Sequence, residues 1–140
     1  MIRLAKLEDV EQLLTLNEQF NGKGETNIDN IKESLSNNKQ ELIVVAEEDG
    51  VLVGFVCIQV KKSFCYSDVV AEITEVFVDK KYRRRKNASS MIAFAESYCK
   101  QHYSLHKFEL LTGKENYEAQ AMYQSQGYKR ENEVLMVKRF

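Results

Sequence analysis

The residues best suited to chemistry form a basic run, Lys80–Lys86, in which six of the seven side chains are positively charged. A β-type stretch precedes this run and a helical pattern follows it, so we place it at a helix N-terminus. Helix N-termini carry unpaired amides and partial positive charge, which suit phosphate. We predict that the Arg83–Ala88 backbone wraps a pyrophosphate, with Arg84, Arg85 or Lys86 neutralising its charge. A solvated charged loop is the alternative.

Two carboxylates, Glu72 and Glu75, lie in the apolar stretch before the basic run. A spacing of three places them on opposite faces of a regular strand, with Thr74 on the face of Glu72. Burial of a carboxylate in such a strand raises its pKa into the range of a general base. Surface positions at a strand edge are the alternative for each of them.

A third group of residues follows the pattern Asn116-x-x-Ala119-x-x-x-Tyr123. Asn116 and Tyr123 are seven residues apart, two turns of one helix, and so share a face. The Tyr123 phenol is a candidate proton donor to a leaving group, and Asn116 a candidate ligand for a polar atom. A tyrosine at helical spacing is also typical of an amphipathic core.

The elements that position these residues follow the order β-α-α-β-β-β-α-β-α-β-β. Periodicity predicts helices at 7–20, 28–37, 88–101 and 115–126, and strands at 2–4, 42–46, 51–60, 69–78, 108–111, 128–130 and 134–140. The strand, basic turn, helix and strand over 69–111 form a β-α-β crossover, which requires a parallel pair within a mixed α/β sheet. Ligands of such sheets bind beyond the carboxyl ends of the strands, where the basic run lies.

Composition limits the classes of function. The chain has 140 residues and a net charge of −1, so we expect one domain over 1–140 and no general affinity for nucleic acid. Apolar runs are too short for a membrane span, and the N-terminus lacks a signal core. Three cysteines without a C-x-x-C pair predict neither disulfides nor a metal site, which favours the cytoplasm.

Together these residues resemble the GNAT superfamily of acyl-coenzyme A dependent N-acetyltransferases, over essentially the whole chain. That family carries an Arg/Gln-x-x-Gly-x-Gly/Ala loop between its fourth strand and third helix, preceded by Val-Asp-x-x-Tyr-Arg. The matching residues here are Val78, Asp79, Tyr82, Arg83 and Ala88, and those of the family's later signature are Asn116, Ala119, Tyr123, Gly127 and Tyr128. Met122 replaces an aromatic residue, and Lys86 replaces the first loop glycine, which implies an altered loop geometry.

The resemblance implies a GNAT-like fold, acetyl-CoA as co-substrate without a metal, and direct acetyl transfer to an amine in a ternary complex. It makes Tyr123 the general acid, Glu72 the first choice of general base and Glu75 the second. The implied cofactor-binding residues are Val76, Phe77 and Val78 through their backbone, together with Arg83, Arg84, Arg85, Lys86, Asn87, Ala88, Ser89, Asn116 and Ala119.

The acceptor is less defined by the sequence. The resemblance places residues 7–40 on the acceptor side, and their acidic side chains suit a cationic amine such as an aminoglycoside or polyamine. A protein N-terminus or lysine remains open, and so does a homodimer. The main alternative to an enzyme is a non-catalytic acyl-CoA-binding module, and a nucleic-acid-binding module is disfavoured by the near-neutral charge.

Overall fold

The computed structural model describes residues 1–140 and contains one five-stranded sheet with four α-helices. The elements are β1 (Ile2–Leu4), α1 (Val10–Asn21), α2 (Ile28–Asn37), β2 (Glu41–Glu48), β3 (Val51–Lys61), β4 (Val69–Val78), α3 (Asn87–His102), β5 (Leu105–Leu110) and α4 (Tyr117–Ser125). The strands lie in the order β1-β2-β3-β4-β5, and only the β4–β5 pair is parallel. The mixed sheet and the β-α-β crossover predicted from the sequence are confirmed.

Helices cover both faces of the sheet. On one face α3 contributes Met91, Ile92 and Ala95 to a core that includes Val56 and Ile58 of β3. On the other face α1 and α2 pack against alternate strand residues. Because β3 is covered on both sides, its apolar residues form a continuous run and do not alternate with polar ones.

Gly50 in the turn between β2 and β3, and Gly54 within β3, each occupy a position that favours glycine. Asp49 and Gly50 both have positive φ, at 52° and 78°, and form the predicted tight turn between β2 and β3. A β-carbon on Gly54 would lie 2.6 Å from the Phe77 carbonyl oxygen, so glycine lets β3 and β4 approach closely at the level of the candidate site.

The two strands predicted at the C-terminus are wrong. Residues 129–140 contain no helix or strand, and every one of their side chains is exposed, including Val134, Leu135 and Met136. Residues with high β-propensity form a strand only when a face can be buried, and this segment packs no face against the core. The sheet therefore ends at β5.

None of the helices is long and apolar enough to cross a membrane.

Candidate active site

A gap opens in the sheet where β4 and β5 diverge. The two strands pair only over Val69–Ile73 and Leu105–Leu110, so the rest of β4 pairs with β3 alone. The Asp79 amide donates to the Val53 carbonyl oxygen of β3 at 2.7 Å. The backbone N–H and C=O groups of successive strand residues point to alternate sides, so those of Val76 and Val78 point away from β3 and towards the gap. The Val76 backbone can accordingly pair with an extended ligand that lies along this edge.

The basic loop begins at the carboxyl end of β4 and leads into α3. None of the backbone amides from Arg83 to Ser89 donates a hydrogen bond to another group of the protein. The first amide with a partner is that of Ser90, which donates to the Lys86 carbonyl oxygen at 2.9 Å. This row of free amides, at the N-terminus of a sixteen-residue helix, suits a phosphate or pyrophosphate group.

Two residues of the loop adopt the left-handed backbone conformation. Arg84 has a φ of 65° and Lys86 a φ of 64°, and each is followed by a residue of negative φ. Such alternation turns successive amides towards one concave side of the chain, the arrangement that binds anions. Lys86 thus takes the conformation for which the family's loop uses glycine.

The side chains of the loop divide into tethered and free ones. Arg83 Nε donates to the Val78 carbonyl oxygen at 3.0 Å, and Arg85 Nη1 forms an ion pair with Glu48 Oε1 at 2.8 Å. Neither Arg84 nor Lys86 forms a hydrogen bond or an ion pair through its side chain. Of the three predicted charge-neutralising residues, Arg84 and Lys86 are therefore free to meet an anion.

Tyr123 lies on α4 and is buried at 9% exposure in the core on the α3 side of the sheet. Its hydroxyl makes no hydrogen bond with another protein group, whereas the neighbouring Tyr128 hydroxyl donates to Glu96 Oε2. Burial raises the pKa of the Tyr123 phenol, so it is protonated at neutral pH. The Gln126 side chain donates to the Ser89 carbonyl oxygen at 3.0 Å and joins the end of α4 to the start of α3. The helix that carries Tyr123 is thus attached to the start of α3.

Asn116 and Ala119 help to build α4. Asn116 is the N-cap of the helix, and its Oδ1 accepts from the Ala119 amide at 3.3 Å. The predicted helix over 115–126 is therefore shorter than expected, and Asn116 immediately precedes its first turn. The Ala119 side chain packs against the core on the α3 side. Their predicted roles in cofactor binding stay predictions.

The two carboxylates of β4 lie on the same face of the sheet, which corrects the prediction of opposite faces. A β-bulge is the cause: Ile73 pairs with Ile58 and Glu75 with Cys57, so Thr74 is an extra residue. The bulge reverses the alternation, because a regular strand changes side at every residue. Glu72 and Glu75 both point towards the side of α1 and α2.

Their surroundings differ. Glu72 forms an ion pair with Lys61 Nζ at 2.9 Å. Glu75 forms no ion pair, and burial together with the negative charge of Glu41 raises the pKa of its carboxyl group. A carboxylate with a raised pKa and no cationic partner is the better proton acceptor.

A cavity of about 210 Å³ lies beneath α1 and α2 and is lined by Glu75. Glu41 lines it as well, together with amide side chains that include Asn17, Asn21 and Asn30. No lysine, arginine or histidine is among its lining residues. The cavity holds two carboxylates and no compensating cation.

A second cavity, of about 830 Å³, lies between β5, α4 and the C-terminal segment. Tyr123 lines it, but neither the basic loop nor the open edge of β4 does. The structure places no group of three or more His, Cys, Asp or Glu side chains where they could hold a metal ion.

Two features of the site were missed by sequence reasoning. Glu48 contacts the basic loop from β2, 37 residues earlier in the chain, and Gln126 contacts Ser89 at the same separation. Sequence reasoning also missed the β-bulge at Thr74 of β4. Thr74 and its neighbours, Ile73 and Glu75, carried no signal that distinguishes a bulge from a regular strand.

Comparison with known proteins agrees with the geometry. The model of the acetyltransferase (GNAT) family matches residues 7–128, whereas comparison with the curated proteins found no match. Among solved structures, a ribosomal-protein-alanine N-acetyltransferase from Brucella melitensis biovar Abortus 2308 superposes with a TM-score of 0.83 at 16% identity, covering 99% of each chain.

Two aminoglycoside acetyltransferases have the same fold. One, meta-AAC0020 from an uncultured soil metagenomic sample in complex with sisomicin, has a TM-score of 0.86 and 16% identity over 100% of this chain and 95% of its own. The other, AAC(6')-Iy with the bisubstrate analogue CoA-S-monomethyl-acetylneamine, has a TM-score of 0.86 and 21% identity over 100% and 97%. With the family model matched over most of its length, the chain belongs to the GNAT family of acetyltransferases.

Proposed function

We propose that this protein is an acetyl-CoA dependent N-acetyltransferase that transfers the acetyl group directly to an amine in a ternary complex. The observation that carries the proposal is the row of free amides from Arg83 to Ser89 beside the open edge of β4. A pyrophosphate at the loop and a pantetheine arm along Val76 would use both features at once. The Arg84 and Lys86 side chains add free positive charge near the phosphates.

The proposed catalytic groups lie on opposite faces of the sheet. Glu75 lies on the side of α1 and α2, and Tyr123 lies in the core on the α3 side. In the proposed reaction Glu75, directly or through water, takes a proton from the acceptor ammonium, and the amine nitrogen attacks the thioester carbonyl carbon. The C–N bond forms, the C–S bond breaks, and the departing thiolate takes the Tyr123 proton. The second proton that the nitrogen loses returns through water to the Tyr123 phenolate, and Glu75 releases its proton to solvent. Glu72 is the weaker choice of base, since Lys61 already binds it.

The acceptor in this proposal is a small cationic amine that enters the cavity beneath α1 and α2. Glu41 and Glu75 give this cavity two negative charges without a cation, and the asparagines offer neutral hydrogen-bonding groups. At about 210 Å³ the cavity accommodates one end of a polyamine or aminoglycoside and no larger portion. A peptide N-terminus is the alternative acceptor. In either case the proposal treats residues 1–140 as one catalytic domain and places it in the cytoplasm, and a homodimer stays open.

Two measurements test the proposal. Isothermal titration calorimetry with coenzyme A should show binding at one site, and acetyl-CoA should be consumed with at least one member of a panel of diamines, aminoglycosides and peptides. Tyr123→Phe serves as the matched variant, because it keeps the ring and removes only the proton donor. Absence of coenzyme A binding would refute the proposal. Binding without turnover over the whole panel would support the non-catalytic acyl-CoA-binding module.

A further inference from the structure

Glu48 is the last residue of β2, and its carboxylate contacts two residues of the basic loop. Oε1 forms an ion pair with Arg85 Nη1 at 2.8 Å, and Oε2 accepts from Asn87 Nδ2 at 3.0 Å. The Glu48 side chain is 27% exposed, so most of its surface is shielded from water. One carboxylate thus holds two loop residues at fixed positions relative to the sheet.

The residue between these two contacts is Lys86. Its left-handed φ of 64° is unfavourable for any residue with a β-carbon, and no side-chain hydrogen bond of its own offsets the strain. Arg85 and Asn87, on either side, are both held by Glu48, so the backbone between them has little freedom to relax. The Arg85 guanidinium also lies over the Tyr82 ring, 5.2 Å from its centroid.

We propose that Glu48 is a positioning residue that holds the Arg83–Ser89 amides in their anion-binding arrangement and replaces the conformational role of the glycine absent at position 86. This inference rests on the proposed function, because it assigns the amides to coenzyme A. It also assigns Arg85 to the neutralisation of Glu48, which leaves Arg84 and Lys86 for the phosphates.

The direction in which coenzyme A affinity changes when the Glu48 carboxylate is removed distinguishes positioning from electrostatic repulsion. A carboxylate near a phosphate site repels the ligand, so its removal by itself would tighten coenzyme A binding. Loss of a positioning contact has the opposite effect, since the free loop must then be ordered when the ligand binds. Glu48→Ala should therefore weaken coenzyme A binding, by roughly tenfold.

The experiment measures coenzyme A affinity by calorimetry for the full chain and for four variants. These are Glu48→Ala, Glu48→Gln, Lys86→Gly and the double variant Glu48→Ala/Lys86→Gly. Glu33→Ala serves as a control, because the Glu33 carboxylate is hydrogen-bonded only to Asn37 of its own helix. Glu48→Ala should bind about ten times more weakly than the unchanged chain, and Glu48→Gln should lie between the two. Lys86→Gly should restore the affinity of the Glu48→Ala chain to within about twofold of Lys86→Gly alone. In kinetics the KM for acetyl-CoA should rise while the KM for the amine stays constant.

NMR provides a readout that does not need the ligand. The coupling between the amide and α protons of Lys86 reports its φ, and the left-handed population should fall in Glu48→Ala. Unchanged or tighter coenzyme A binding by Glu48→Ala would overturn the inference, and so would an unchanged Lys86 coupling or the absence of rescue by Lys86→Gly. If the unchanged chain does not bind coenzyme A, the proposed function fails, and the Lys86 coupling still decides whether Glu48 positions the loop.

Discussion

The left-handed backbone of Lys86 leads to a prediction whose sign depends on the structure. A residue with a β-carbon at this φ of 64° loses roughly 1–2 kcal/mol relative to the right-handed conformation. Glycine avoids this loss, but its greater freedom in the unfolded chain costs roughly 0.5–1 kcal/mol. Lys86→Gly should consequently be more stable than Lys86→Ala by about 0.5–1 kcal/mol. Both variants remove the same charge, so their difference isolates the backbone.

Thermal unfolding followed by circular dichroism measures this difference. The entropy of unfolding of a 140-residue chain is about 0.3 kcal/mol per degree, so the glycine variant should melt about 2–3 °C above the alanine variant. Ala93, an exposed residue in α3, provides the matched control. Ala93→Gly should lower the free energy of unfolding by about 1 kcal/mol, because that position has ordinary helical geometry.

A higher melting temperature for Lys86→Ala than for Lys86→Gly would refute the reasoning. In a right-handed conformation alanine is the more stable residue by about 0.5–1 kcal/mol. Lys86→Ala melting above Lys86→Gly would therefore mean that the loop is not left-handed at this residue. The concave arrangement of amides deduced from it would then also be wrong.

Four further predictions concern the proposed catalytic groups and the packing of β3 against β4. Tyr123→Phe should lower kcat by about 10²–10³-fold and leave the coenzyme A dissociation constant unchanged, measured by steady-state kinetics and calorimetry. Glu75→Gln should lower kcat/KM at neutral pH by about 10²–10⁴-fold and Glu72→Gln by much less; equal losses would contradict the choice of Glu75. The pKa of the Glu75 carboxyl group is raised above 4.5, and the group can accept a proton only when the pH is above its pKa. The loss of kcat/KM on acidification should therefore occur above pH 4.5, and it should be absent in Glu75→Gln. Gly54→Ala should lower the free energy of unfolding by about 2–3 kcal/mol in urea titrations, since its β-carbon would meet the Phe77 carbonyl oxygen.

The fold could be predicted where local signals and burial agree. The Asp49-Gly50 turn and the crossover over 69–111 rest on turn chemistry and periodicity, and both are present in the structure. The C-terminal strands failed because the pattern of Val134–Phe140 indicates β-propensity, while strand formation also needs a surface to pack against. Propensity is a property of the segment, and packing depends on the rest of the molecule.

The candidate site, like the fold, could be predicted from the sequence only in part. The basic loop could be placed at the end of β4 because it adjoins its strand and its helix in sequence. Its internal organisation could not be predicted, since Glu48 contacts it from 37 residues away. A run of charges does not reveal which members are already paired. The structure shows that Arg83 and Arg85 are engaged within the protein.

The β-bulge at Thr74 has the largest consequence for the proposed chemistry. In a regular strand Glu75 would point into the core on the α3 side, and Glu72 alone would face α1 and α2. The extra residue turns Glu75 into the acidic cavity and leaves Glu72 beside Lys61. The choice between the two carboxylates therefore depends on one backbone irregularity, and the proposed base and the proposed acid lie on opposite faces of the sheet.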